Sequence, residues 1–238
     1  MSRAPRLALA IVLGGLLARP ASAWIPEPER AWASLAQSNG QSARTRPVDF
    51  AVALVDSTGA VVATGRLVAE PGGHARLELT RADGGGVEVH ERSGSEYRVT
   101  RDGRRVEKAP RLLPPLGLLQ AGKPADVADA LRALGGDPAR VDLGKEGLYD
   151  CWVLGGRDPG DFQMNARPSI WVDQETQQPV RIDDAAGVRY RLLDLAPKDG
   201  VRFPSRIEIS ADGWPIWRID VATPAPPAAR PPSVETAP

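Results

Sequence analysis

The side chains with the greatest capacity for chemistry in this chain are two histidines, His74 and His90, and one cysteine, Cys151. Alternation of apolar and polar residues places both histidines on the charged face of their predicted strands, so we expect them at the surface. Neither has Cys, Asp or Glu at the spacing of metal ligands, and we predict no metal site and no cofactor. Cys151 lies in an apolar run, which favours a buried, unreactive thiol.

Other motifs lack the context that catalysis requires. The glycine-rich run 83–87 opens a strand and not a helix, so no helix N-terminus is available to hold a phosphate. Asp183 and Asp184, like Asp158 and Asp161, are predicted to lie in turns, where aspartate commonly bonds the backbone. The patterns G-x-S-x-G, H-E-x-x-H, C-x-x-C and the P-loop do not occur. We therefore predict that the protein is not an enzyme.

The N-terminus has the pattern of a secretory signal peptide. Arg3 and Arg6 precede the apolar run 7–17, and the small residues 21–23 form a cleavage site. The apolar run is shorter than the about 20 residues that a membrane span needs. We expect cleavage near Ala23 and a mature protein in the periplasm or outside the cell, with no stable membrane span.

The charge balance excludes two classes of partner. Of the 30 basic side chains, three lie before residue 24, which leaves 27 against 30 acidic ones and a net charge of about −3. Nucleic acids and anionic membrane surfaces both attract a concentrated basic patch, so neither is a predicted partner. A single cysteine cannot form an internal disulfide. The mature chain of roughly 215 residues must therefore be stabilised by its hydrophobic core.

Short alternating segments joined by turns predict an antiparallel meander. Residues 75–80 alternate apolar and charged side chains, and Asp102-Gly103 is a favoured two-residue hairpin turn. From 169 to 221 the chain reads as strands and tight turns with no helix between them. About ten strands are compatible with a closed barrel or sandwich, or with a curved sheet around helices. We favour a mainly β (α+β) fold in which a strongly curved antiparallel meander forms an incomplete barrel.

Two predicted helices and one irregular segment interrupt the strands. Residues 27–38 and 124–134 have helical periodicity, each with a proline in the first turn. Between them lies a leucine-rich segment broken by prolines, residues 109–120, here called the insert. We expect the insert and the second helix to cover the concave side of the sheet as a lid. The candidate cavity or lid residues are Leu112, Leu113, Leu116, Leu118, Leu119, Val127, Leu131, Trp152 and Trp171.

One sequence pattern provides a family resemblance. It consists of Ile170-Trp171-Val172-Asp173, Thr176, Pro179-Val180-Arg181, Tyr190 and Phe203-Pro204-x-x-Ile207-x-Ile209. With it, the chain resembles the lipoprotein-carrier superfamily of bacterial periplasmic proteins, which includes the outer-membrane lipoprotein-sorting proteins. The resemblance implies an incomplete barrel whose apolar concave side receives acyl chains or another lipid beneath helices. It also implies a lid-contacting arginine on a strand, for which Arg66, Arg76, Arg98 and Arg105 are equally suitable.

The sequence therefore predicts a signal peptide over 1–23, one carrier-like domain over 24–222 and a disordered Pro/Ala-rich tail over 223–238. The leading hypothesis is a carrier or chaperone for a lipidated protein or other apolar ligand, since each sheltered CH₂ group contributes about 0.8 kcal/mol. An interaction or sensor module that binds another envelope protein is the alternative. A hydrolase on a β scaffold is a third hypothesis. The space between the sheet and residues 110–135 should discriminate between the first two.

Overall fold

A computed structural model describes residues 25–40, 47–156, 168–198, 201–211 and 214–222. The predicted signal peptide (1–23), the predicted tail (223–238), Asp158 and Asp161 lie outside the described residues.

A single antiparallel sheet dominates the fold, and its strands follow the order β6-β5-β4-β3-β2-β1-β13-β12-β11-β10-β9-β8-β7. The first half of the chain thus forms one wing and the second half the other, joined where β1 pairs with β13. The strands are β1 Val48–Val55, β2 Val61–Ala69, β3 His74–Arg81, β4 Val87–Ser93, β5 Glu96–Arg101, β6 Arg104–Arg105, β7 Asp137–Glu146, β8 Tyr149–Gly155, β9 Ser169–Asp173, β10 Pro179–Asp183, β11 Arg189–Lys198, β12 Val201–Ser210 and β13 Trp217–Val221. The described residues form thirteen strands, where about ten were predicted.

In the described part of the chain, three helices accompany the sheet: α1 (Pro28–Asn39), α2 (Gly117–Gln120) and α3 (Pro124–Ala133). Both longer helices begin at a proline, which suits a first turn because its missing N–H has no intrahelical acceptor there. After α1 the chain turns at Gly40, which has a positive φ of 80°. The two predicted helices are confirmed to within one residue at each end.

The sheet curves strongly but does not close. Arg92 on β4 and Asp184, directly after β10, are seven strand-to-strand steps apart along the sheet, a flat distance of about 34 Å. Their side chains nevertheless lie 2.8 Å apart. The two wings must therefore bend toward each other, while β6 and β7 remain the unpaired ends of the sheet. The predicted mainly β fold, an incomplete antiparallel barrel, is confirmed.

One hydrophobic core fills the concave side of this sheet. Phe50 of β1 and Phe203 of β12 meet at its centre, with ring centroids 4.8 Å apart. Leu35 of α1 is fully buried in the same core. The insert lies inside the curve, and each of its five leucines is at most 2% exposed. The insert is thus a central element of the core on the concave side, as the sequence predicted.

Candidate functional site

The insert forms no strand, and side chains from neighbouring elements bond its backbone. Asn39, at the end of α1, donates to the carbonyl oxygens of Leu118 (2.8 Å) and Ala121 (2.9 Å). Gln120 donates from Nε2 to the carbonyl of Ala69 on β2 (3.1 Å). A proline-broken segment cannot satisfy all of its own backbone groups, so the buried Asn39 amide bonds two carbonyls at its end, while Gln120 ties the insert to β2. The insert is held by separate contacts and not by a ladder of strand hydrogen bonds.

Arg92 provides the central contact between the sheet and the insert. Its Nε donates to the carbonyl of Leu113 (3.1 Å), and its Nη2 donates to Asp184 (2.8 Å). The guanidinium also lies over the ring of Tyr97, 4.9 Å from the centroid. Tyr190 donates to the carbonyl of Arg111 at 3.0 Å. Burial raises the pKa of the Tyr190 hydroxyl, so it remains a hydrogen-bond donor.

The resemblance did not assign its lid-contacting arginine to any one of four strand arginines, and none of the four bonds the insert in this way. Three of them form ion pairs on the sheet surface: Arg66 with Asp49, Arg76 with Glu78 and Glu91, and Arg98 with Glu91. Arg105 is exposed on β6. The strand arginine that contacts the insert is Arg92, which the sequence reasoning missed. Alternation along β4 could not identify it, because the rule assigns the valines to the interior, whereas Glu88, His90 and Arg92 are the buried residues.

The expectation that His90 lies on the surface is wrong, because its side chain is fully buried. Its Nε2 lies 2.8 Å from Oε1 of Glu88, and its Nδ1 lies 2.9 Å from the Tyr97 hydroxyl. That hydroxyl also accepts a hydrogen bond from the N–H of Leu113 (3.0 Å). The alternation rule placed the valines of β4 inside, but a satisfied polar network occupies the interior and they are half-buried. His74 is exposed, as expected.

Glu88 makes the stability of this network dependent on pH. The hydrogen bond from His90 lowers the pKa of Glu88 to about 2, against the opposing effect of burial and with help from Arg101. The folded carboxyl therefore has a lower pKa than the unfolded one. Its stabilising effect is complete above about pH 4.5 and is lost as the pH falls toward 2.

We expect Glu88→Gln to destabilise the protein at pH 6 and to do so progressively less as the pH falls below 4.5, since the variant has no carboxylate to protonate. Urea denaturation at pH 6, 4.5 and 3.5 measures the difference in the free energy of unfolding between wild type and variant. Glu96→Gln, at an exposed position on β5, is the control and should show almost no difference at any pH. A Glu88→Gln difference that stays constant across this range would contradict the assignment.

A cavity of about 430 Å³ opens beside the insert. Its walls come from the β2–β3 turn, the β4–β5 turn, the insert and α3. They are formed by Pro71, Gly72, Gly73, Arg92, Gly94, Pro115, Gly117, Leu118, Gln120, Ala121, Asp126, Asp129, Ala130, Ala133 and Leu134. The volume falls within the range of about 300–1,000 Å³ that is typical of small-molecule sites.

Two glycines bring the wall of the cavity together. A Cβ on Gly117 would lie 2.9 Å from the Cα of Gly73, so the insert approaches the β2–β3 turn more closely than a side chain at position 117 would allow. Gly73 also has a positive φ of 91°, which favours glycine independently. Sequence reasoning did not identify these residues, because glycines in turns are common and nothing local marks a contact between them.

The structure separates the residues predicted to form a cavity or lid. The five insert leucines, Val127 and Leu131 all lie in the main core, and Trp152 packs against it half-buried. Among these residues only Leu118 lines the cavity. Trp171 belongs instead to a small cluster with Cys151 and Val153 on the other face of the sheet. Ligand contact by any of them stays a prediction.

The family-like pattern around Trp171 has a structural role in this fold. The Arg181 guanidinium lies 4.1 Å from the centroid of the Trp171 ring, and the Trp171 indole N–H donates to Ser169 and to Asp183, both at 3.2 Å. Asp173 accepts the backbone N–H of Thr176 at 3.0 Å and so fixes the β9–β10 turn. The pattern therefore stabilises a hairpin on the convex face, away from the cavity.

Burial of Cys151 raises the pKa of its thiol to about 11, which keeps it protonated and unreactive at neutral pH. Across the described ranges, no cluster of three or more His, Cys, Asp or Glu side chains is placed to hold a metal ion. No helix in the described part of the chain has the length and apolar character needed to cross a membrane.

No protein-family model and no curated protein matches the chain. Several solved structures are similar to it. A LolA superfamily protein from Nitrosomonas europaea is 12% identical, with a TM-score of 0.48 and coverage of 83% of this chain and 92% of that chain. A DUF1329 family protein from Desulfovibrio piger is 14% identical, with a TM-score of 0.45 and coverage of 83% and 92%. A domain named as a putative outer membrane lipoprotein-sorting protein, from Vibrio parahaemolyticus, is 10% identical, with a TM-score of 0.46 and coverage of 82% and 90%.

Proposed function

We propose that this protein is an exported, non-catalytic carrier that shelters the apolar part of a lipid or acylated protein in the cavity beside the insert. The observation that carries the proposal is the cavity itself, which has a volume suited to a ligand and apolar walls at Pro115, Leu118 and Leu134. The signal-peptide pattern at 1–23 supports export to the periplasm.

A carrier must release its ligand as well as bind it, and the construction of the cavity wall suits both steps. The insert joins the sheet through a few side-chain bonds, such as those from Asn39 and Arg92, and not through strand pairing. Such a segment can separate from the sheet without breaking a ladder of backbone hydrogen bonds. Because the insert leucines fill the concave interior, the ligand in the closed state is confined to the cavity.

A protein-interaction or sensor module is the second candidate function, and the filled interior favours it. A further observation points the same way. Leu148, at the tip of the β7–β8 hairpin, is 94% exposed, and the neighbouring Tyr149 is also exposed. These two adjacent side chains offer an apolar contact for another protein at the tip of the hairpin.

Titration with N-phenyl-1-naphthylamine, a neutral apolar dye that fluoresces when shielded from water, tests the carrier proposal. We expect saturable binding at one dye per protein. Ala130→Phe, which places a ring in the cavity wall, should weaken dye binding about tenfold, equivalent to losing about two buried CH₂ groups. Ala33→Phe is the matched control, because it adds the same ring to an exposed position of α1 and should leave dye binding unchanged.

Two results would contradict the carrier proposal. Wild-type protein that shows no saturable dye binding has no ligand-accessible apolar cavity. Equal dye binding by wild type and Ala130→Phe would place the dye elsewhere. The interaction module would be favoured if the protein co-purified with a stoichiometric protein partner and native mass spectrometry showed no bound lipid.

A further inference from the structure

A second cavity, here called the edge cavity, lies where β6 ends and the chain leaves the sheet for the insert. It has a volume of about 280 Å³. Residues 97–99 of β5 form one wall, and residues between 105 and 111 form the other. In the described part of the chain, it shares no lining residue with the cavity beside the insert. A ligand in the edge cavity would therefore add to the proposed carrier function.

The wall of the edge cavity carries more positive than negative charge. Arg98, Arg105 and Arg111 line it, against one described carboxylate, that of Glu107. The sequence contains the same local excess, because residues 98–111 include six basic side chains and two acidic ones. The balanced charge of the whole chain conceals this segment. A cleft lined mainly by one sign of charge concentrates ligands of the opposite sign, here anions.

The fold holds Arg111 in place and leaves its charge available. Tyr190 donates to its backbone carbonyl (3.0 Å), and its guanidinium lies over the ring of Tyr97, 5.1 Å from the centroid. Asp184 bonds Arg92 at 2.8 Å, whereas Arg111 lies 3.6 Å from the same carboxylate, beyond hydrogen-bond distance. One buried carboxylate thus faces two guanidinium groups. The Arg111 side chain, 35% exposed, can still donate to an anion in the edge cavity.

We propose that the edge cavity binds a phosphate group through the guanidinium groups of Arg105 and Arg111. Arg105 is exposed and forms no ion pair with any described residue. Arg98 adds positive charge but is partly neutralised by Glu91, 3.6 Å away. The planar fork of a guanidinium group matches the oxygens of a phosphate and can bond two of them at once. A soluble phosphate compound and the head group of an anionic lipid both carry this chemistry.

Calorimetric titration with inorganic phosphate at pH 7 and low ionic strength measures binding to the edge cavity. We expect one saturable site. Arg105→Gln and Arg111→Gln should each weaken binding about tenfold, because each removes a charge-assisted hydrogen bond. Glu107→Gln should strengthen binding about twofold, because it removes the carboxylate from the wall.

Arg104→Gln is the matched control for Arg105→Gln. It removes the same charge from the neighbouring residue of β6, which is exposed and does not line the edge cavity. Phosphate affinity should change by at most about twofold, since an exposed charge outside the site is screened by solvent and salt. Arg105 is exposed as well, so Arg105→Gln remains informative if Arg111→Gln does not fold.

Co-sedimentation with vesicles identifies the source of the phosphate group. Vesicles of equal parts phosphatidylglycerol and phosphatidylcholine are compared with vesicles of phosphatidylcholine alone. Retention on the first kind only, lost in Arg105→Gln and kept in Arg104→Gln, would assign the site to a lipid head group. Binding of inorganic phosphate without retention on either kind would assign it to a soluble phosphate compound.

Two results would overturn the inference. A wild-type protein that binds neither inorganic phosphate nor the phosphatidylglycerol vesicles has no phosphate site. Equal losses of affinity in Arg104→Gln and Arg105→Gln would show a diffuse attraction to the basic segment and not a site in the edge cavity. Neither result affects the dye binding that tests the carrier proposal, and absence of dye binding would leave the phosphate site standing.

Discussion

Arg92→Ala should lower the free energy of unfolding by about 3–5 kcal/mol, the loss expected when one member of a buried ion pair is removed. Both side chains of the Arg92–Asp184 pair are 2% exposed. Without Arg92, the Asp184 carboxylate is left inside the protein with the more distant Arg111, 3.6 Å away, as a cationic partner. The carbonyl of Leu113 also loses its donor. Urea denaturation at pH 7 measures the effect.

Arg66→Ala is the matched control, because its partner Asp49 and its own side chain are exposed, at 49% and 67%. An exposed pair contributes about 0–1 kcal/mol. The double variant Arg92→Met/Asp184→Asn should recover part of the loss, since it removes the unpaired buried charge. The amide oxygen of the substituted side chain can still accept the backbone N–H groups of Ala186 and Val188 that bond Asp184. If Arg92→Ala costs no more than Arg66→Ala, the two wings of the sheet do not meet at this pair.

Gly65→Ala should destabilise the protein by about 3 kcal/mol or more, because the added methyl group has no space. A Cβ at this position on β2 would lie 1.7 Å from the carbonyl oxygen of Glu78 and 3.0 Å from the Cα of Leu79. These are backbone atoms of β3, which cannot rotate away. The two strands would have to separate where Gly65 and Leu79 pair, so the sheet would lose its tight bend. Thermal and urea denaturation both measure the loss.

Gly85→Ala provides the control for this substitution. The nearest atoms to its Cβ would belong to the Asp83 and Arg81 side chains, which form an exposed, flexible ion pair that can shift. We expect a change of at most about 0.5 kcal/mol there. A Gly65→Ala protein as stable as wild type would show that β2 and β3 are farther apart than the structure places them.

Local signals in the sequence were sufficient to predict the helices and the hairpins of this fold. The dipeptide Asp102-Gly103 predicted a two-residue hairpin, and both residues have positive φ values of 49° and 77°, as such a turn requires. Pro28 and Pro124 predicted the starts of the helices. The pairing of β1 with β13 has no local signal, because it joins residues about 170 positions apart and depends on the whole meander.

Of the residues that line the candidate site, the sequence prediction named only Leu118. The leucines of the insert were recognised because they are too apolar for an exposed loop, and all are buried. Arg92, His90 and Gln120 were missed because a single sequence assigns inward-facing polar residues to the surface. Their partners are distant in sequence: Asp184 lies 92 positions from Arg92, and Ala69 lies 51 positions from Gln120. Only the folded chain shows that these polar groups have partners.

Hydrogen–deuterium exchange with and without saturating N-phenyl-1-naphthylamine tests most directly whether the cavity beside the insert holds an apolar ligand. We expect slower exchange at the amides of Leu118, Leu119 and Gln120, which bond within the insert, and along α3, because a bound ligand suppresses local opening. The amides of β9 and β10 should be unaffected. Unchanged exchange in the insert, or protection confined to the shallow depression around Ala51 and Thr64 on the sheet, would contradict the carrier proposal.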